Sequence, residues 1–331
     1  MFNRDISFSL WLDFIERNFL ENEFRDLIDS GIINGATSNP AIFANAITTS
    51  QAYKEQLIEL EGLSAKEKYE AIAIKDIKRA AQLLRPLYDD GNDGYISIEV
   101  DPALCHDANG TFEEGKRLFK TIDEPNVMIK VPATDEGYGA MTRLMEIGIP
   151  VNATLIFSPA QAKECLKAMK IGINNWANYG GGLVQGVVSV FVSRFDRELD
   201  ASLEEKGIEV SKTGIYNAGK IYRMIERNHT PSIRALFAST GVKGDRLPTD
   251  YYVRELFGSR LVNTAPLETI MAYTKNPENE AILPLSSKVI NDYFKKLEDN
   301  GICMDTIYAK LLEDGLKAFI DSFDAMLSKI K

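Results

Sequence analysis

The chain has little of what metal sites, disulfide frameworks or nucleic-acid surfaces need. Its 331 residues include two histidines, His106 and His229, and three cysteines, Cys105, Cys165 and Cys303. Two histidines exclude a His-rich metal site, and a Ser-His-Asp triad would have to use one of them. An odd cysteine count without paired spacing argues against a disulfide framework or zinc module and fits a reducing compartment. Positive charge is scarce: 38 Lys and Arg against 48 Asp and Glu leave a net charge of −10. Nucleic-acid binding needs a dense basic surface, so no nucleic-acid partner is expected. A small anionic metabolite is still compatible, because a few local cations outweigh the global field. Long apolar runs are missing too. The most apolar stretch, GGGLVQGVVSVFV, contains Gln185 and is too short to span a bilayer. MFNRDISFSL at the start has no basic segment followed by an apolar one, so no signal peptide and a cytoplasmic location are expected.

What is present is ordinary globular composition, 45% hydrophobic and 26% charged, which argues against disorder. Short apolar runs at 8–13, 35–39, 95–100, 126–132, 151–157, 187–192, 235–240 and 260–264 alternate with segments of helical period. Ser158-Pro159-Ala160-Gln161 reads as an N-cap, an N1 proline and a capping-box glutamine. Thr111-Phe112-Glu113-Glu114 predicts a second capping box. Gly31 is placed to stop the helix before it. Eight β-then-α units imply a parallel sheet, and eight is the number that closes a (β/α)8 TIM barrel. The expectation is an α/β single domain over 1–331, with about 286–330 as C-terminal helices packed outside the barrel. The alternative is an open doubly wound sheet. Gly180-Gly181-Gly182 lacks the residues of a phosphate-binding loop and is read as a turn. Asp89, Asp90 and Asp93 around Gly91 are read as a solvated turn rather than a calcium loop.

Side chains alternate faces along a strand. In the fourth run Val127, Ile129 and Val131 oppose Asn126, Met128 and Lys130. In the third Ile96, Ile98 and Val100 oppose Ser97 and Glu99. In the fifth Val151, Ala153, Leu155 and Phe157 oppose Asn152 and Thr154. In the first Leu10 and Leu12 oppose Ser9, Trp11 and Asp13. One face therefore meets the outer helices, and in a barrel the other, polar face is the lumen. Asp13, Asn39, Glu99 and Lys130 fall at the C-terminal ends of their strands, where barrel enzymes place their active sites. A buried charge costs several kcal/mol unless paired and hydrogen-bonded, so stability alone gives little reason to keep three. A desolvated lysine loses proton affinity, and a neutral amine attacks a ketone to form a Schiff base. Glu99 and Asp13 are the right types to move the protons. The other role for Lys130 is a counter-ion to Glu99 or Asp13 with no chemistry.

GATSNPAIF (35–43), SIEVDP (97–102), VMIKVPATDEG (127–137), VNATLIFS (151–158) and SVFVSRFD (189–196) resemble, in order and spacing, the strand motifs of the transaldolase family. The length and ASTGVK (238–243) look more like its longer, actinobacterial-type branch. The resemblance implies a barrel of the pentose phosphate pathway that needs no cofactor and no metal. It implies transfer of a dihydroxyacetone unit from sedoheptulose 7-phosphate to glyceraldehyde 3-phosphate, giving erythrose 4-phosphate and fructose 6-phosphate. Partners would be small sugar phosphates, with no membrane, and the chain a monomer or homodimer. By position, Lys130 is the Schiff-base lysine and Asp13 the acid/base at the C3–C4 bond. Glu99, with Thr154, acts through a water. Asn39, Asn152 and Ser189 hold the hydroxyls of the dihydroxyacetone unit. Arg194, aided by Ser239, binds the phosphate; by charge pattern alone it would instead pair with Asp196 or Glu198. Shorter members carry a second phosphate-binding arginine where this chain has Gly241, and Lys243 is the substitute candidate, or else a solvated loop lysine. The competing functions are a lysine-dependent aldolase releasing free dihydroxyacetone and a non-catalytic sugar-phosphate-binding barrel.

Overall fold

The eight apolar runs form the strands of one closed barrel in the computed structural model of the chain, which describes residues 6–278 and 280–330. The strands are β1 (Phe8–Asp13), β2 (Gly35–Thr37), β3 (Tyr95–Glu99), β4 (Val127–Pro132), β5 (Val151–Ile156), β6 (Gly186–Phe191), β7 (Ile233–Ala238) and β8 (Leu261–Ala265). All neighbours are parallel, in chain order, and β8 pairs back onto β1. The helices are α1 (Arg17–Glu21), α2 (Glu23–Asp29), α3 (Pro40–Thr49), α4 (Lys54–Glu59), α5 (Ala65–Asp89), α6 (Ala108–Ile122) and α7 (Asp135–Met145), then α8 (Pro159–Asn178), α9 (Ser193–Glu205), α10 (Thr213–Arg227), α11 (Tyr251–Glu255), α12 (Leu267–Tyr273), α13 (Ser287–Asp299) and α14 (Met304–Lys329). Among the described residues no helix is long and apolar enough to cross a membrane. Met1 to Asp5, part of the N-terminal segment read above, and Asn279 and Lys331, within the expected 1–331 span, lie outside the described residues.

The alternation of side chains builds two cores. Leu10, Leu12, Ile96, Ile98, Val127, Ile129 and Val131 belong to the outer core against the helices. Trp11, Met128, Val187, Leu236 and Val262 fill the lumen, so the barrel is packed rather than open. Its N-terminal end is closed by charge. Asp93 accepts from Trp11 Nε1 at 3.0 Å and from Arg234 Nη1 at 3.2 Å. The expectation of a solvated turn thus fails for Asp93, whose side chain is withdrawn from water to neutralise the half-buried Arg234. The register then sets Glu99 beside Lys130 and Lys130 beside Asn152 near the opposite end.

Two local expectations are corrected. The helix expected to start at Thr111 starts at Ala108, because Asp107 caps it first, accepting from Gly110 N at 2.8 Å. Thr111 Oγ1 instead donates to Leu104 O at 2.9 Å. In β5 the alternation breaks after Thr154. The register with β6 shifts between Ala153 and Ile156, and Leu155 has φ +57°. Such a bulge adds a residue to one strand and reverses the faces beyond it. Leu155 and Phe157 therefore join the lumenal cluster, and Ile156 turns to the outer core. The predicted capping box at Ser158 braces this bulge. Ser158 Oγ accepts from Gln161 N at 3.0 Å, and Gln161 Nε2 donates to Leu155 O at 3.1 Å and Ala133 O at 3.0 Å.

The segment 286–330 divides into two behaviours. Tyr293 and Leu297 of α13 pack against Leu199 and Leu203 of α9 on the outside. The longer α14 lies across the C-terminal mouth instead. Its Leu311 and Phe319 enter the lumenal cluster, and Gly315 sits against Leu155 and Arg194. Positions 311, 315 and 319 form one stripe at helical spacing, and that stripe is buried over the barrel end.

Candidate active site

Lys130 stands near the C-terminal end of β4 with its side chain in the lumen. Its Nζ donates to Ser38 O at 3.1 Å and lies 3.6 Å from Glu99 Oε2. The Phe319 ring centroid is 5.8 Å away. Lys130 and Glu99 are each only 6% exposed. Neither Glu99 oxygen has a hydrogen-bond partner among the described residues, and neither does the buried Thr154 Oγ1. A buried carboxylate with so little compensation holds its proton more tightly. Desolvation pushes Glu99 up to about 7, against the pull of Lys130 and with a further push from Asp13.

Asp13 ends β1. Desolvation raises its pKa as well, opposed by the Lys130 charge and by the Thr37 hydroxyl. Thr37 Oγ1 donates to Asp13 Oδ1 at 2.6 Å and makes a 2.7 Å contact with Thr264 Oγ1. This hydroxyl relay fixes the Asp13 carboxylate, and sequence reasoning missed both threonines. Inward alternation along β2 and β8 was the signal that pointed to them. A second chain crosses the lumen from β6 to β3. Ser189 Oγ donates to Asn152 Oδ1 at 2.6 Å, and Asn152 Nδ2 donates to Ser97 Oγ at 2.9 Å. Ser97 was a further omission. Asn39, read as the end of a strand, is the N-cap of α3, where its Oδ1 accepts from Ile42 N at 3.1 Å. Its carbonyl is committed to the helix and its amide nitrogen is left to donate.

Arg194 is the second residue of α9, half-buried, with its guanidinium 5.1 Å from the Phe191 ring centroid. It has no ion pair or hydrogen-bond partner among the described residues. The carboxylates that charge pattern offered it are engaged elsewhere. Asp196 accepts from Tyr252 Oη at 2.8 Å and Gly214 N at 3.2 Å, and Glu198 accepts from Lys310 Nζ at 2.6 Å. Burial, then the neighbouring Arg197, lower the proton affinity of Arg194, with Asp314 opposing. Ser239, at φ +56°, ends the β7 region and shares a 2.9 Å hydroxyl contact with Ser193. A Cβ at Gly241 would come within 3.0 Å of Pro266 Cγ, so a long side chain there would need Pro266 to move. Lys243 is exposed on the loop beyond.

The structure thus gathers Lys130, Glu99 and Asp13 at one end of the lumen, with Thr154, Asn152 and Ser189 on neighbouring strands. Arg194 and Ser239 flank the mouth, and Lys243 lies farther out. Among the described residues no group of three His, Cys, Asp or Glu side chains is placed to hold a metal ion. A buried amine 3.6 Å from one proton-hungry carboxyl, with a second at the same end of the lumen, suits imine chemistry on a carbonyl compound.

Comparison with known proteins agrees. The family model "Transaldolase/Fructose-6-phosphate aldolase" matches residues 10–330. A protein named transaldolase from Helicobacter pylori (strain ATCC 700392 / 26695) is 46% identical over 322 residues, covering 97% of this chain and 98% of the relative. A protein of the same name from Campylobacter jejuni subsp. jejuni serotype O:23/36 (strain 81-176) is 45% identical over 335 residues, covering 98% and 99%.

Proposed function

Because this chain belongs to the transaldolase/fructose-6-phosphate aldolase family, we infer that it transfers a dihydroxyacetone unit from sedoheptulose 7-phosphate to glyceraldehyde 3-phosphate through an imine on Lys130. The products are erythrose 4-phosphate and fructose 6-phosphate, a step of the pentose phosphate pathway. One observation carries the assignment of roles. The buried Lys130 amine lies 3.6 Å from a carboxyl whose proton is held to about pH 7.

The amine attacks C2 of the ketose. Glu99, working with Thr154 through a water, moves the protons that let the carbinolamine lose its hydroxyl. Asp13 then takes the C4 hydroxyl proton, the C3–C4 bond breaks, and its electron pair flows to the iminium nitrogen as an enamine. The aldehyde leaves, an acceptor aldehyde enters, and the same steps run backwards. Asn39, Asn152 and Ser189 hold the hydroxyls of the retained three-carbon unit. Arg194 and Ser239 grip the phosphate, and Lys243 is the outer candidate for a second cation. Three free cysteines fit work in the cytoplasm.

Transfer is favoured over simple aldol cleavage by the cover on the site. Phe319 and the α14 stripe keep bulk water from the enamine until an aldehyde arrives. Fructose 6-phosphate with erythrose 4-phosphate should give sedoheptulose 7-phosphate and glyceraldehyde 3-phosphate. Without an acceptor, little free dihydroxyacetone should form. Release of dihydroxyacetone at the same rate with and without acceptor would identify an aldolase instead.

The elevated Glu99 pKa sets a pH dependence. The free enzyme needs the carboxylate to accept the first proton, so kcat/KM should rise with pH through a limb near 7. Glu99→Gln should be slower and lack that limb. Persistence of the limb in the variant would assign it to another group.

A further inference from the structure

Glu99 moves protons in the reading above, yet Lys130 compensates it only from 3.6 Å, and neither of its oxygens has a hydrogen-bond partner among the described residues. Beside it, between α5, α6 and the end of β3, is a cavity of about 10 Å³, room for about one water. Lys130, Asp13 and Thr154 do not line this cavity, so it is separate from the lumenal face on which the ketose reacts. Its polar wall is made by Lys66, Tyr69 and Glu70 of α5, Glu99, Asp101, and Glu114 of α6. The carboxylates of that wall other than Glu99 are satisfied by cations. Lys66 Nζ meets Asp101 Oδ2 at 2.6 Å and Glu114 Oε2 at 3.0 Å, and Arg117 pairs with Glu70 at 2.8 Å. The Glu99 carboxyl and the Tyr69 hydroxyl are left without a hydrogen bond among the described residues. Tyr69 is 7% exposed. Its ring is wedged edge-on between Phe43 of α3, with centroids 5.8 Å apart, and Phe323 of α14, at 5.1 Å. A buried tyrosine hydroxyl ordinarily finds a partner. Burial raises the Tyr69 pKa, and of the carboxylates that face it Glu99 adds most, ahead of Glu114, Glu70 and Asp101. Glu99 is faced in turn by Lys130 from β4 and Asp13 from β1, while α14 brings the Phe319 ring over Lys130 and Phe323 to the cavity wall.

We propose that Tyr69 is a positioning residue for Glu99: its hydroxyl donates to one water in this cavity, and that water donates to the Glu99 carboxylate. An interior water needs about two to four polar partners, and these two groups are the ones on the wall with capacity to spare. A hydrogen bond to the carboxylate favours its charged form, so the water keeps Glu99 ready to accept the first proton. The effect on rate rests on the reading of Glu99 as a proton carrier; the effect on the carboxyl itself does not.

The test uses Tyr69→Phe, which removes one oxygen and keeps both ring contacts. Infrared titration of the protein without substrate follows the carboxyl band that Glu99→Gln removes. In Tyr69→Phe the midpoint of that band should move to higher pH, because the charged form has lost a donor. In parallel, kcat/KM for fructose 6-phosphate with erythrose 4-phosphate should fall about tenfold near pH 6 and stay within about twofold of wild type near pH 9. A midpoint that stays at its wild-type pH would overturn the inference. An equal loss of kcat/KM at both pH values with that midpoint unmoved would do the same and mark Tyr69 as a packing residue only. A midpoint that rises while the pH profile of kcat/KM stays as in wild type would uphold the link from Tyr69 to Glu99 and count instead against Glu99 as the proton carrier.

Discussion

Lys130→Met should lower transfer by more than about 10⁴-fold, the order seen when a covalent nucleophile is removed. Methionine fills nearly the same volume but offers no nitrogen to the ketose. The loss should be chemical and not a failure to fold. In the wild type the Lys130 charge restrains the pKa of both Glu99 and Asp13, which burial pushes up. Without that charge the pull that opposes burial is gone and both carboxyls hold their protons more tightly, which lessens the charge left uncompensated in the lumen. Circular dichroism should show the native barrel, and fructose 6-phosphate should still bind through the groups at the mouth. Transfer within tenfold of wild type in a folded Lys130→Met protein would reject imine catalysis at this residue.

Asp13→Asn should separate imine formation from bond cleavage. The Asn oxygen can still accept from the Thr37 hydroxyl that holds Asp13 at 2.6 Å, so the site keeps its shape. Lys130, Glu99 and Thr154 are untouched, and the ketose should still condense. The C4 hydroxyl then has no base, and kcat should fall by about 10² to 10⁴-fold. Borohydride should trap the whole fructose 6-phosphate chain on the protein instead of a three-carbon fragment. A three-carbon adduct formed at the wild-type rate would show that another group takes the C4 proton.

The barrel was legible because its strands are short, apolar and regularly spaced, and lumenal polarity survives in the alternation of residues. That alternation alone places Lys130, Glu99 and Asp13 on inner faces. It failed after Thr154, where the positive φ of Leu155 inserts a bulge. Nothing in the VNATLIF run marks a conformation that leucine rarely adopts. The path of α14 was hidden for a different reason. An apolar stripe at helical spacing says that a face is buried, not which surface buries it. Thr37 and Thr264 meet on an inner face that alternation could define, but the relay from Thr264 through Thr37 to Asp13 depends on pairing across three strands. Arg194 shows the reverse case. Nearby carboxylates suggested a surface ion pair, yet Glu198 is taken by Lys310 from the far end of the chain. Local charge pattern cannot register that competition.

The central claim is a covalent bond between Lys130 and a carbonyl carbon. Incubating the wild-type protein with fructose 6-phosphate, reducing with borohydride and mapping peptides by mass spectrometry tests it most directly. The account predicts a dihydroxyacetone-derived mass on the peptide carrying Lys130 and on no other lysine. No adduct on any lysine, in a preparation shown to bind fructose 6-phosphate, would contradict it and leave a sugar-phosphate-binding barrel without this chemistry.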